Sequence, residues 1–193
     1  PISLTKPSTS TSSSPFIFLS ASPTTSAEGW KAARGGKSLR VSKLNTLRNS
    51  LVVPKKGGDT LFSNQYLAYD ELEHDLKNVL EGKKAIHSNL GVLMLSGGDP
   101  KDAKTVEHPI FRTHPETGKK ALYVTEAFVK EIKDIDKKDS QTKLEYLYSH
   151  ASKDKYIYRH QWLKGDLVVW DNRCVQHYAE HGYGDNERTM HRL

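Results

Sequence analysis

Acidic residues are almost missing from the first 56 positions of this 193-residue sequence, where Glu28 stands alone against nine Lys/Arg, a formal +8. The whole chain carries only +6, so everything after residue 56 sums to −2. A mildly acidic body has no electrostatic reason to hold a phosphate backbone, which argues against nucleic acid as a partner. Cysteine is nearly absent as well. With Cys174 alone, no intramolecular disulfide and no cysteine-rich zinc site can form, as suits a reducing compartment such as the cytoplasm. No run approaches the roughly 18 apolar residues that span a bilayer. The apolar stretch Pro15–Leu19 is too short for a signal-peptide core, so no membrane partner is expected.

What the first thirty residues do have is Ser, Thr and Pro, too poor in apolar groups to offset the entropy of ordering, and disorder is expected there. Being Ser-rich, basic and acid-poor, the stretch also has the composition of an organelle transit peptide. Residues 31–51 stay basic without a clear period, and the character changes at Val52-Val53-Pro54. The expected organisation is a basic tail over 1–51 and a folded domain over 52–193.

Within that domain, Leu72, Leu76, Val79 and Leu80 follow helical spacing, and Gly82 is placed to end the helix. The β-prone runs His108–His114 and Lys119–Thr125 bracket Pro115-Glu116-Thr117-Gly118, which reads as a hairpin. Ser140 is placed to cap a second helix carrying Leu144, Leu147 and Tyr148. After it come Tyr156–Trp162, a turn at Lys164-Gly165-Asp166, the strand Leu167–Trp170, and a last strand over Arg188–Leu193. Short strands with two helices point to a β-sandwich or jelly roll.

The chemistry-bearing segment is WDNRCVQHYAEHGYGDNERTMHR, Trp170 to Arg192, with a histidine, several arginines and turn residues packed together. Its WDNR, QHYA and R-x-M-H-R pieces, with HPIFRTHPETGKKALYVTEAF upstream and PKKGGDTLF before that, resemble the C-terminal part of the taurine dioxygenase (TauD/TfdA) family of Fe(II)- and 2-oxoglutarate-dependent dioxygenases. The resemblance covers about three quarters of the chain and implies a mainly β fold with helices, a partial double-stranded β-helix (jelly roll) whose N-terminal core strands are missing.

The resemblance also implies roles. His177 corresponds to the third member of the two-His, one-carboxylate triad around iron. Arg188 corresponds to the arginine for the distal carboxylate of 2-oxoglutarate, a task for a planar, permanently charged fork, with the Thr60 hydroxyl beside it. Four residues on, Arg192 corresponds to a binder of an acidic substrate group such as a sulfonate, and Phe128 to an aromatic wall of the substrate pocket. Asp171, Asn172 and Arg173 are read as turn-bonding residues, and His181 and His191 as structural or exposed. The implied cofactors are Fe(II) and 2-oxoglutarate, with ascorbate as the assay reductant, and the implied partners are O2 and a small anionic substrate. The implied reaction oxidises 2-oxoglutarate to succinate and CO2 while hydroxylating that substrate; beside a sulfonate this releases sulfite, as in taurine catabolism.

One element of the pattern is lacking. The family's H-x-D ligand pair belongs about 25 to 30 residues before Thr60, near positions 31–36, which read Lys-Ala-Ala-Arg-Gly-Gly. No histidine precedes His74, and H-x-D occurs nowhere. An incomplete or wrongly joined sequence is therefore expected. The competing reading is a non-catalytic module that keeps Thr60, Arg188 and Arg192 as an anion pocket. No interface for an oligomer is legible.

Overall fold

The computed structural model describes residues 45–192 and the backbone of two short strands before them. In chain order the elements are β1 (Phe16–Ala21), β2 (Trp30–Ala33), β3 (Asn45–Val52), β4 (Thr60–Asn64), α1 (Gln65–Asp70), α2 (His74–Leu80), β5 (Lys84–Ser88), α3 (Leu90–Leu95) and β6 (Thr105–Pro109). There follow β7 (Phe111–Thr113), β8 (Lys120–Leu122), β9 (Val129–Ile132), α4 (Lys137–Ala151), β10 (Ile157–His160), β11 (Leu167–Asp171), β12 (Val175–Ala179) and β13 (Thr189–Arg192). The described architecture is mainly β with helices, as expected. The chain divides into two compact units, Pro1–Phe62 with Tyr158–Leu193, and Ser63–Ile157.

The first unit holds a five-stranded sheet ordered β13-β3-β11-β1-β2 and most of a three-stranded sheet, β10-β4-β12. β1 runs parallel to β11; the other pairings of the larger sheet are antiparallel. Two sequence expectations change here. The boundary placed at Val52 falls on the last residue of β3, a strand paired with both β11 and β13, so paired chain begins by Asn45. The disorder expected over the first thirty residues meets a strand in β1, whose Phe-Ile-Phe-Leu run is β-prone. The rest of that expectation, and the transit-peptide reading, lie outside the described residues.

The second unit packs α1 and α4 with β7, β8 and β9 around Leu67, Leu80, Ile110, Leu122, Val129, Ile132, Leu144 and Leu147, all buried. Asn64 caps α1, its side-chain oxygen accepting from Tyr66 N and Leu67 N at 3.1 and 3.2 Å. The first predicted helix forms as α2, with Leu80 buried and Leu76 packed on the core, but Val79 is 51% exposed because the helix is only seven residues long. Gly82 follows it at φ +73°. β7 and β8 make the predicted hairpin, with Gly118 at φ +69°. Ser140 does not cap α4. Asp136 does, accepting from Lys138 N and Asp139 N, while the Ser140 hydroxyl accepts from Ile132 N at 2.8 Å and ties β9 to the helix.

His87 on β5 stacks on Tyr123 and meets His108 edge-on at 4.9 Å, and its buried Nε2 has no hydrogen-bond partner. Burial first, then the neighbouring His108, pushes its pKa down from 6.5 to about 4. The unfolded imidazole therefore protonates before the folded one does. Stability is full above about pH 6.5 and falls as pH drops toward 4, by on the order of 2 kcal/mol once partial exposure is discounted. Thermal unfolding between pH 8 and 4.5 is expected to show this slope, and His87→Phe to reduce it without abolishing it, since the His177 pKa is lowered as far.

Candidate functional site

The site is built on aromatic packing between the two sheets of the first unit. Trp170 of β11 is fully buried, its ring edge-on to Phe62 of β4 at 5.1 Å and 4.8 Å from the imidazole of His177 on β12. Its indole N–H donates to Asn172 Oδ1 at 3.0 Å, and Asn172 Nδ2 donates to Thr46 Oγ1 on β3 at 2.6 Å. Arg173 donates its backbone N–H and its guanidinium to the Asp171 carboxylate. The Trp-Asp-Asn-Arg segment thus bonds the turn after β11 and holds the indole that supports His177.

Gly57 and Gly58 open the Gly-Gly-Asp-Thr segment, both in the left-handed region at φ +77° and +74°. A Cβ on Gly57 would lie 2.5 Å from the Gly182 carbonyl oxygen, and one on Gly58 would lie 3.0 Å from Cδ and Nε of Arg188. The Gly58 carbonyl accepts from Arg188 Nε at 3.1 Å. Two backbone bonds, Gly58 N to His181 O and Glu180 N to Asp59 O, fasten the loop to the segment after β12. Arg159 pairs with both Asp59 and Glu180 at the surface. Thr60 follows, buried, with its Oγ1 accepting from Trp162 Nε1 at 2.9 Å, which leaves the hydroxyl proton free to donate. Gly57→Ala must displace backbone and is expected to destabilise by at least about 2 kcal/mol. Gly184→Ala is the control, since Gly184 has positive φ but nothing within 4 Å of a Cβ; thermal unfolding separates clash from strain.

Three arginines converge here, and one of them was not legible in the sequence. Arg192 on β13 and Arg48 on β3 are direct register partners, and Arg48 is in turn the partner of Val168 on β11. Arg188 sits just before β13, whose register shifts between Thr189 and Met190, so simple strand alternation does not relate it to Arg192. Burial, then the charges of Arg192 and Arg188, lower the pKa of the Arg48 guanidinium. His177 is exposed on β12, yet the rings of Phe62 and Trp170 pack against it. Crowding first, then Arg48 and Arg192, lower its pKa to about 4. Among the described residues no carboxylate pairs with Arg48, Arg188 or Arg192. Sequence reading assigned Arg48 to the basic tail because the positions beside it on the same face, Thr46 and Ser50, are polar, and no period-2 hydrophobic signal marks the strand.

The family described as "Taurine catabolism dioxygenase TauD, TfdA family" matches residues 40–193. The chain belongs to the TauD/TfdA family. An alkylsulfatase of Acinetobacter baylyi is 36% identical over 168 residues, covering 78% of this chain and 51% of that protein. An alpha-ketoglutarate-dependent sulfonate dioxygenase of Saccharomyces cerevisiae is 37% identical over 145 residues, 72% of this chain and 34% of that one. The crystal structure of a taurine dioxygenase from Burkholderia xenovorans superposes with a TM-score of 0.67 at 30% identity, covering 77% of this chain and 50% of that one. The jelly-roll fold class is thereby shown. The chain spans about half or less of the length of these relatives.

TauD/TfdA chemistry calls for iron, and the donors around His177 do not fit it. Fe(II) of this class needs two imidazoles and a carboxylate on one face. His177 has aromatic rings on one side and the positive charges of Arg48 and Arg192 bearing on it. No group of three metal-ligating side chains among the described residues includes it. The structure does bring Thr60, His177, Arg188 and Arg192 into one unit. Phe128 belongs to the other, where it is 38% exposed and lines an open, mainly apolar recess of about 370 Å³ with Ile86, Leu90 and Ala127. Among the described residues, no helix is long and apolar enough to cross a membrane.

Proposed function

We propose that the chain acts in 2-oxoglutarate-dependent oxidation of a small anionic substrate such as an alkyl sulfonate, and that the residues described here supply its anion-binding side. Arg188 and Thr60 take the distal carboxylate of 2-oxoglutarate, Arg192 takes the anionic group of the substrate, and O2 is the co-substrate. This chemistry requires Fe(II), for which His177 is one ligand, and the H-x-D pair that would supply the other two occurs nowhere in the sequence. The wall role of Phe128 rests on family resemblance alone. The observation that carries the reading is the placement of Arg188: its Nε is fixed on the Gly58 carbonyl, while its terminal nitrogens have no acceptor among the described residues. That is a pre-oriented fork for a carboxylate.

A second reading, a non-catalytic module that retains the anion pocket, is favoured by one specific observation, the two cations acting on His177. Succinate formation from 2-oxoglutarate with Fe(II), ascorbate and a panel of alkyl sulfonates separates the two. Turnover that disappears on His177→Ala supports the oxidation; saturable 2-oxoglutarate binding with no succinate supports the module.

A further inference from the structure

We propose that Arg48 completes a metal-free site for a doubly charged oxyanion beside His177, where the TauD/TfdA fold otherwise carries its iron. The inference deepens the second reading above, the anion pocket without iron: it rests on Arg188 and Arg192 as anion ligands and adds a third residue to them.

Side chains on one strand alternate between faces, and direct register partners share a face. Arg48 is the partner of both Arg192 and Val168, and Trp170, two residues after Val168, shares that face. The Trp170 ring lies 4.8 Å from His177. Arg48 and Arg192 therefore project from the larger sheet on the side that His177 closes, above the floor formed by Trp170 and Phe62.

Like charges directly opposite in an antiparallel pair destabilise it unless an opposite charge answers them. Among the described residues none answers these two, nor Arg188, whose charge also reaches Arg48. Thr60 adds a hydroxyl donor, and the neutral His177 ring can add one N–H beside the Trp170 and Phe62 rings. A divalent cation placed here meets two guanidiniums and a single imidazole lone pair; a divalent oxyanion meets two guanidiniums, a hydroxyl and that N–H. The ligand chemistry is an oxyanion of total charge −2, with both charges on one group in sulfate and one on each carboxylate in 2-oxoglutarate.

Calorimetric titration of the full chain with sodium sulfate and with 2-oxoglutarate, each at fixed ionic strength in EDTA and again with Mn(II), tests this. Both anions are expected to bind in EDTA, to compete with each other, and to gain nothing from Mn(II). Arg48→Leu is expected to weaken both about 10- to 100-fold, as loss of a charge-assisted contact does, and Arg48→Lys to retain most of the affinity in a chain with unchanged circular dichroism. Binding that Mn(II) tightens more than about 10-fold, or that Arg48→Leu leaves unchanged while Arg188→Leu abolishes it, overturns the role of Arg48 and leaves the anion-binding reading standing. No saturable binding of either anion by the folded wild-type chain overturns both.

Discussion

Arg188→Leu is expected to lower the affinity for 2-oxoglutarate about 100-fold or more, the scale of removing one partner from a hydrogen-bonded charge pair. The same change removes one bond to the Gly58 carbonyl, so the stability loss should stay near 1 kcal/mol. The contrast between a large binding effect and a small folding effect is the diagnostic, read by calorimetry and by urea unfolding on the same samples. Arg188→Lys should recover only part of the affinity. Lysine keeps the charge, but a point charge on a flexible stem cannot bond the Gly58 carbonyl through Nε and present two parallel donors to a carboxylate at once. Equal affinity in Arg188→Leu and wild type would remove Arg188 from the site.

Trp170→Ala should be the most destabilising single change in the first unit, at about 3–5 kcal/mol. The indole is fully buried, touches Phe62 and His177, and donates to Asn172, which itself bonds Thr46 across to β3. Truncation leaves a cavity between the sheets and removes the indole donor to Asn172. Trp170→Phe keeps an aromatic ring but loses the N–H and part of the indole volume, so roughly 1–3 kcal/mol is expected. Urea midpoints should follow the order wild type, Trp170→Phe, Trp170→Ala. Anion binding should weaken in the same order, because His177 rests on this ring. An unchanged midpoint in Trp170→Ala would mean that the ring is not the floor of the site.

Much of the local structure is legible in the sequence. The WDNR, QHYA and R-x-M-H-R pieces led to the fold class and the family, and the Pro-Glu-Thr-Gly turn led to the β7–β8 hairpin, since both rest on residues close in sequence with restricted backbone choices. Ser140 as a cap failed because Asp136 is an equally good acceptor four residues earlier, and the preceding strand decides which one the helix starts from. Val79 failed because a seven-residue helix shows the core little more than one edge.

The amino-acid sequence by itself determined that His177 has no H-x-D companion, that the Gly-Gly-Asp-Thr and R-x-M-H-R pieces match the family pattern, and that the positive charge is concentrated before residue 57. Only the tertiary structure decided what surrounds His177. Arg48 stands 129 positions before it in the sequence, and nothing local marks that arginine as different from the other cations of the basic stretch. Pairing of β3 between β11 and β13 turns Arg48 to the face that Trp170 shares. Register is a long-range choice set by the sheet as a whole, and a one-residue slip would send the same side chain to the opposite face.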